Sequence, residues 1–232
     1  GVTVRLDEMD VYSMGGAKKR LTVGGSMGDL YANILRTDEH GHIWLDSKSN
    51  TIQTEKNNYI YVGNTNPKYV LSWRNEFFWR GISLGFMINA RVGGRGASAT
   101  QAVLDYYGVS ETSAKARDNG GVLVNGYKYD AQSWYQTVGG NGVDFVGSCY
   151  IYDMTNVRLG ELSIGYDIPI NKWCKFIKEL NVSLVGRNLL MIYCKAPFDP
   201  ETTAGTGTYN QGMDYFMQPS LRSMGFSAKV TF

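Results

Sequence analysis

The sequence predicts an all-β chain that forms part of a transmembrane antiparallel β-barrel with long extracellular loops. Three observations carry that expectation. Long runs alternate strictly between apolar and polar residues, short and long connections themselves alternate, and the composition suits strands and turns. The 232 residues hold 28 Gly, 16 Tyr, 9 Phe and 5 Trp against 5 Pro, a balance that favours β architecture with many turns.

The first pair of runs is the clearest. Tyr69, Leu71, Trp73, Phe77 and Trp79 alternate with Ser72, Arg74 and Glu76. Across 81–92, Ile82, Leu84, Phe86, Ile88, Ala90 and Val92 alternate with Ser83, Gly85, Met87, Asn89 and Arg91. Only Arg80-Gly81 lies between the two runs, so they read as a hairpin. A third run places Leu162, Ile164, Tyr166 and Ile168 opposite Glu161, Ser163 and Gly165. A fourth places Leu180, Val182, Leu184, Leu190 and Ile192 opposite Asn181, Ser183 and Arg187. The last sets Phe226, Ala228, Val230 and Phe232 against Ser227, Lys229 and Thr231.

These runs reach the roughly 9–11 residues that cross a bilayer as a tilted strand, whereas strands of soluble sandwiches are usually about 5–6 residues. The link at 79–81 is short and that at 167–179 moderate, while 93–153 and 194–220 are long. Tight turns on one side and long loops on the other suit a membrane barrel. About five or six spans cannot close one, because the smallest have roughly eight strands, and an open edge in lipid leaves backbone groups unpaired. The remaining strands are therefore expected from elsewhere. The start at Gly1 without a Met agrees with a fragment or processed product.

Before residue 65 the pattern is weaker. Residues 30–36 and 42–45 read as short strands around Asp38-Glu39-His40-Gly41. Within the long loop, 97–107 reads as a short helix and 115–121 as a polar turn or helix end.

The net charge of +2 and the single basic cluster Lys18-Lys19-Arg20 give no reason to expect a nucleic-acid partner. No apolar run approaches the roughly 18 residues of a membrane helix, and no signal peptide opens the chain. Cys149, Cys174 and Cys194 match no zinc spacing; a Cys149–Cys194 bridge remains open. Gly24-Gly25-Ser26-Met27-Gly28 has the form of a nucleophile elbow, but a strand-like run follows where that mechanism needs a helix. Gly93-Gly94-Arg95-Gly96 lacks the Lys-Ser/Thr of a phosphate loop and reads as the point where a strand leaves the membrane. Asp38, Glu39, His40 and His42 read as a solvated turn rather than a metal site, so neither a metal nor a cofactor is expected.

Four ordered motifs carry a family resemblance across about 62–232. YIYDMTNVRLGELSIGY at 150–166 resembles a segment near the end of SusC/RagA-type TonB-dependent transporters. VGNTNPKYVLSWRNEFFWRGISLGFMINARVGG at 62–94 is similar to their hairpin, and LVGRNLLMI at 184–192 to a following strand. FDPET and the ending QGMDYFMQPSLRSMGFSAKVTF are similar to their last loop and strand. Gly160 and Met154 depart from the usual pattern at single positions.

The resemblance implies the C-terminal portion, 1–232, of a barrel of about twenty-two strands. The plug and the N-terminal strands would lie outside this chain. It implies outer-membrane, multi-pass import of oligosaccharides or peptides without catalysis. The partners implied are the rest of the transporter, a SusD-like surface lipoprotein as a lid, TonB as energy donor, and membrane lipid. Lumen-facing candidates are Arg74, Glu76, Asn89, Arg91, Glu161, Arg187 and Lys229. Candidates for ligand contact in the loops are Tyr106, Tyr107, Trp134, Tyr135, Phe198, Tyr209 and Tyr215, with Phe216 beside them. A terminal aromatic at Phe232 suits recognition by barrel-assembly machinery. Two rival readings stand beside this one: a TonB-dependent receptor for a metal chelate, and a soluble sugar-binding β-sandwich.

Overall fold

The computed structural model describes residues 7–46, 48–170, 176–202 and 207–231; Cys174 and Phe232 lie outside them. The strands are β1 (Glu8–Met14), β2 (Ala17–Thr22), β3 (Asp29–Leu35), β4 (Thr54–Asn64), β5 (Tyr69–Trp79), β6 (Ile82–Val92), β7 (Arg95–Ser98), β8 (Val122–Val124), β9 (Tyr127–Tyr129), β10 (Ile151–Asp153), β11 (Asn156–Ile168), β12 (Glu179–Cys194), β13 (Met213–Asp214) and β14 (Ser223–Thr231). The α-helices are α1 (Ala99–Tyr106), α2 (Glu111–Asp118) and α3 (Ala131–Gly139). No helix among the described residues is long and apolar enough to cross a membrane. The chain divides into two compact units.

The first unit comprises Gly1–Asn66, Gly94–Asp153 and Thr202–Gln218. It contains the antiparallel sheet β1-β2-β3-β4, the small sheet β10-β7-β13, the hairpin β8-β9 and the three helices. Its core brings residues distant in sequence together: Ala17 and Leu30 pack with Ala97, Ala102, Val138 and Phe145. Space at that junction is tight. Gly15, at φ +56°, lies so near the Phe145 ring that any Cβ would clash, and Phe145 meets Tyr150 edge to face at 5.6 Å. Each helix starts on a side-chain cap that satisfies an otherwise unpaired N–H. Ser98 accepts from Gln101 N, Ser110 from Ser113 N, and Asp130 from Ser133 N.

The second unit comprises Pro67–Gly93, Met154–Glu201 and Pro219–Phe232. It is one antiparallel sheet in the order β14-β12-β11-β6-β5. Arg80 and Gly81 turn β5 into β6 with φ of +50° and +84°, the left-handed pair that a two-residue hairpin needs to match strand twist. Cross-strand register confirms the alternation. Phe77 lies opposite Leu84, Leu84 opposite Ile164, Ile164 opposite Leu184, and Leu184 opposite Phe226. Gly160 is an unpaired bulge between Leu159 and Glu161. It shifts the phase by one residue, so the apolar face runs from Val157 and Leu159 into Leu162 and Ile164. On β12 the register slips between Arg187 and Leu190, where Asn188 takes φ +52°.

Several expectations are corrected. Residues 42–45 do not form a strand and make only the isolated bridges Thr37–Ile43 and Leu45–Ile52. The Asp38 carboxylate accepts the N–H groups of His40 and His42, which holds this stretch as a turn. The segment read as a polar turn or helix end at 115–121 is one: it holds the last residues of α2, which begins behind its Ser110 cap, and the turn that follows. Strands β1, β2 and β4 and helix α3 were not expected; β4 contains the polar run Glu55-Lys56-Asn57-Asn58, which hides its alternation. The long connection at 93–153 carries α1, α2, α3 and the β8-β9 hairpin and lies, from Gly94 on, within the first unit. Cys149 and Cys194 are free thiols, not a bridge. By contrast, the strand expected after Gly24-Gly25-Ser26-Met27-Gly28 is present as β3, where a nucleophile elbow needs a helix.

Candidate functional site

The polar face of the five-stranded sheet gathers every residue expected in the lumen. Arg74 lies opposite Met87, Met87 opposite Glu161, and Glu161 opposite Arg187, while Asn89 and Arg91 follow Met87 in the same phase. Lys229 lies opposite Asn181 on that face. Its side chains are paired along and across strands: Arg74 Nη2 lies 2.7 Å from Glu76 Oε1, Arg187 Nε 3.3 Å from Glu161 Oε2, and Ser72 Oγ donates to Asn89 Oδ1 at 2.9 Å. Exposed ion pairs of this kind contribute little to stability. They leave a charged, wettable surface that no hydrocarbon would cover.

The opposite face is apolar and uncovered. Leu71, Trp73, Phe77, Trp79, Leu184 and Phe226 are each more than half exposed. Buried apolar side chains in this unit are confined to Met154, Ala196 and Pro200 among the described residues. A sheet in water needs one face packed on a core; among the described residues of this unit the apolar face is exposed instead.

At one end of the sheet lies a buried ionic node. Arg158 Nη2 is 2.7 Å from Asp199 Oδ1 and its Nε 3.2 Å from Glu201 Oε1. The N–H groups of Ser220 and Glu201 donate to the Asp199 carboxylate at 3.0 and 3.1 Å. Burial alone would push Asp199 up, but the bonds from Ser220, Arg158 and Glu201 bring it down to about 2. Phe198 lies beside this node, lining a cavity of about 270 Å³ with Asn188 and Arg222.

In the first unit, three expected aromatics converge. Tyr106, Tyr107 and Tyr135 line one cavity of about 360 Å³ between α1, α2 and α3. Tyr106 also lines a neighbouring cavity of about 580 Å³ that reaches Tyr129 and Asn50. Tyr106 and Tyr107 meet edge to face at 5.1 Å, and the Tyr107 hydroxyl donates to Asn141 Oδ1 at 3.3 Å. Asp105, almost fully buried at the cavity wall, accepts from Gln101 Nε2 and Thr112 Oγ1, both at 2.9 Å. Burial and then the Asp105 charge hold the Tyr135 phenol above its ordinary range, so it stays neutral.

The other aromatics go elsewhere. Trp134 packs against the hydrophobic core. Tyr209 lines a small cavity of about 130 Å³ with Lys19 and Thr65. Tyr215 is exposed and meets Phe216 edge to face at 5.3 Å. Sequence reasoning missed Gln132 and Gln136, which line the Tyr106 cavity from α3. Their signal was present in Asp130 followed by Ala131, Trp134 and Val138, a cap before helical apolar spacing.

No family model matches the chain. It is 24% identical over 209 residues to TonB-dependent receptor P3 of Formosa agariphila, covering 84% of this chain and 19% of that receptor. Its fold is similar to a solved RagAB peptide transporter at TM-score 0.62 and 15% identity, covering 96% of this chain and 24% of that one. A RagAB peptide importer in its open-open state matches at TM-score 0.56 and 13% identity, over 95% and 27% of the two chains. The chain thus spans about a fifth of the receptor and about a quarter of the solved chains. Both comparisons agree with the resemblance read from the motifs, one in sequence to a TonB-dependent receptor and one in fold to a RagAB transporter.

Proposed function

From a chain whose sequence resembles a TonB-dependent receptor and whose fold resembles a RagAB transporter, we propose that this protein supplies barrel wall and extracellular loops to an outer-membrane importer of oligosaccharides or peptides. The observation that carries the proposal is the two-faced sheet, apolar and exposed on one side and ion-paired on the other. An exposed apolar area of this extent marks a hydrophobic partner. Strands of the 11 residues seen in β5 and β6 are about 36 Å long at roughly 3.3 Å per residue. Tilted by about 45°, they span close to the ~25 Å apolar band of such barrels.

Lipid would cover Leu71, Trp73, Leu184 and Phe226, while Arg74, Glu161 and Arg187 would face a watery lumen. Trp79 and Tyr166, near the β5–β6 turn, suit an interfacial aromatic belt. Strands β5 and β14 each have one neighbour in their sheet, and lipid would require a second for both. Further strands of the same barrel would supply them, about twenty-two in all as the resemblance implies. TonB would deliver energy through parts of the transporter outside this chain, and a SusD-like lipoprotein would close over the loops. The protein would act on its ligand without breaking bonds.

The test is membrane fractionation followed by uptake of labelled oligosaccharides and peptides in cells. Detergent-dependent extraction from the outer membrane, a co-purifying lipoprotein, and uptake lost when the proton-motive force collapses are the expected results. A protein that stays monodisperse in buffer without detergent would overturn the proposal in favour of a soluble binding module.

A further inference from the structure

Helix α2 is fastened to its surroundings differently from α1 and α3. Ala99 and Ala102 of α1 and Val138 of α3 belong to the hydrophobic core. Across 107–121, by contrast, the buried residues are Ser110 and Ser113 alone. Both serve the segment's own cap, since the Ser113 N–H donates to Ser110 Oγ and the Ser113 hydroxyl to the Ser110 carbonyl. Arg117 Nη1 likewise donates back to the Gly108 carbonyl at 2.7 Å, and Glu111 pairs with Lys115 one turn on. These internal bonds tie the segment into one piece.

Outward, polar contacts hold it. Thr112 Oγ1 donates to Asp105 Oδ1 at 2.9 Å, Gln101 Nε2 reaches Thr112 Oγ1 at 3.3 Å, and Lys128 donates to the Asn119 carbonyl. Glycines with positive φ stand at both ends: Gly108 at +69°, Gly120 at +76° and Gly121 at +127°. Gly108, Ser113 and Arg117 form one wall of the 360 Å³ cavity, which α1 and α3 otherwise enclose.

From this arrangement we infer that 109–119 is a lid on that cavity, latched by Thr112 on the Asp105 carboxylate and hinged at Gly108 and Gly120-Gly121. Opening a segment costs the apolar contacts it uncovers and the bonds it releases. Swinging α2 away uncovers no fully buried apolar side chain, and water replaces most of its outward bonds. Moving α1 or α3 would draw alanine and valine side chains out of the core. The latch is the contact that resists, because a bond to a carboxylate is stronger than one between neutral groups and Asp105 is only 5% exposed. Gln101 Nε2 also holds Asp105, at 2.9 Å, so the carboxylate stays on α1 when α2 leaves.

Hydrogen exchange of the full transporter in detergent tests the lid, and needs no ligand, so its outcome is separate from that of the import reading. In the parent, amides at 113–119 are expected to exchange faster than those of α1 and α3, and at a common rate. Thr112→Val keeps the shape and removes the latch hydroxyl; it should speed exchange across 113–119 by roughly tenfold and leave α1 and α3 unchanged. Thr112→Ser restores the donor and should return the segment to the parent rate. Protection of 113–119 equal to that of α1, or a Thr112→Val protein that exchanges as the parent does, overturns the inference. Acceleration that spreads into α1 and α3 overturns it as well, because Thr112 would then support the whole unit and latch nothing.

Discussion

Replacing Arg158 by methionine should release the segment around Asp199 from the sheet while leaving the sheet intact. Arg158 and Asp199 have 4% and 8% of their side chains exposed, so the pair is nearly dry. Methionine fills much of the same space but strands the carboxylate without its cation. Breaking a buried pair this way costs about 3–5 kcal/mol. The lower figure applies here, because Asp199 keeps two backbone N–H bonds from Ser220 and Glu201. About 3 kcal/mol of local stability corresponds to roughly a hundredfold faster hydrogen exchange, confined to 196–201 and 219–222. Asp199→Asn should act in the same direction. The pH dependence follows from the direction in which the carboxyl is displaced. Asp199 titrates near 2 when folded, below its ordinary 3.8, so its contribution is complete above about pH 4 and is lost as pH falls toward 2. At about 1.4 kcal/mol for each tenfold change in proton affinity, that contribution is on the order of 2 kcal/mol. Exchange in these segments, corrected for intrinsic rates, should therefore accelerate below about pH 4. An Arg158→Met protein with unaltered exchange there would refute the reasoning.

Other perturbations probe other parts of the chain. Leu184→Lys should cost about 2–4 kcal/mol in denaturant titrations of vesicle-inserted protein if that face meets lipid, whereas Ser183→Lys on the opposite face should cost little; equal tolerance would sink the lipid assignment. Asn125→Ala removes two bonds to the Ile43 backbone, at 2.9 and 2.8 Å, which tie the β8–β9 turn to the 42–45 segment. Cleavage at that turn by limited proteolysis should rise several-fold, in line with about 1 kcal/mol per bond, and an unchanged digest would show the tie to be idle. Deleting Phe232 should lower the amount assembled in the outer membrane while leaving uptake per molecule intact, and normal assembly would argue against a terminal assembly signal.

The five-stranded sheet was legible in the sequence because its information is local. Each strand must sort apolar from polar side chains at every second residue, and Arg80-Gly81 permits only a tight turn. Even the phase change at Gly160 is written in the order Val157, Leu159, then Leu162, Ile164. The face assignments of Arg74, Glu161 and Arg187 followed from the same alternation. The first unit is different in kind. Leu30 meets Ala97 and Phe145 in one core, and no periodicity connects residues so far apart. Its strand β4 has polar residues on both sides, and the run at 42–45 divides its backbone bonds among Asp38, Asn125, Arg36 and Gln53 instead of a ladder. The cavity at Tyr106 was half visible: aromatic loop residues could be named, but their convergence could not. Only the packing of α1 against α3 places Tyr106 beside Gln136 and turns Trp134 against the core. Likewise, the motifs holding Arg158 and Asp199 could be read separately, whereas their burial against each other is a tertiary event. Alternation along a strand is fixed by backbone geometry one residue at a time; which distant surfaces exclude water together depends on the whole chain's fold.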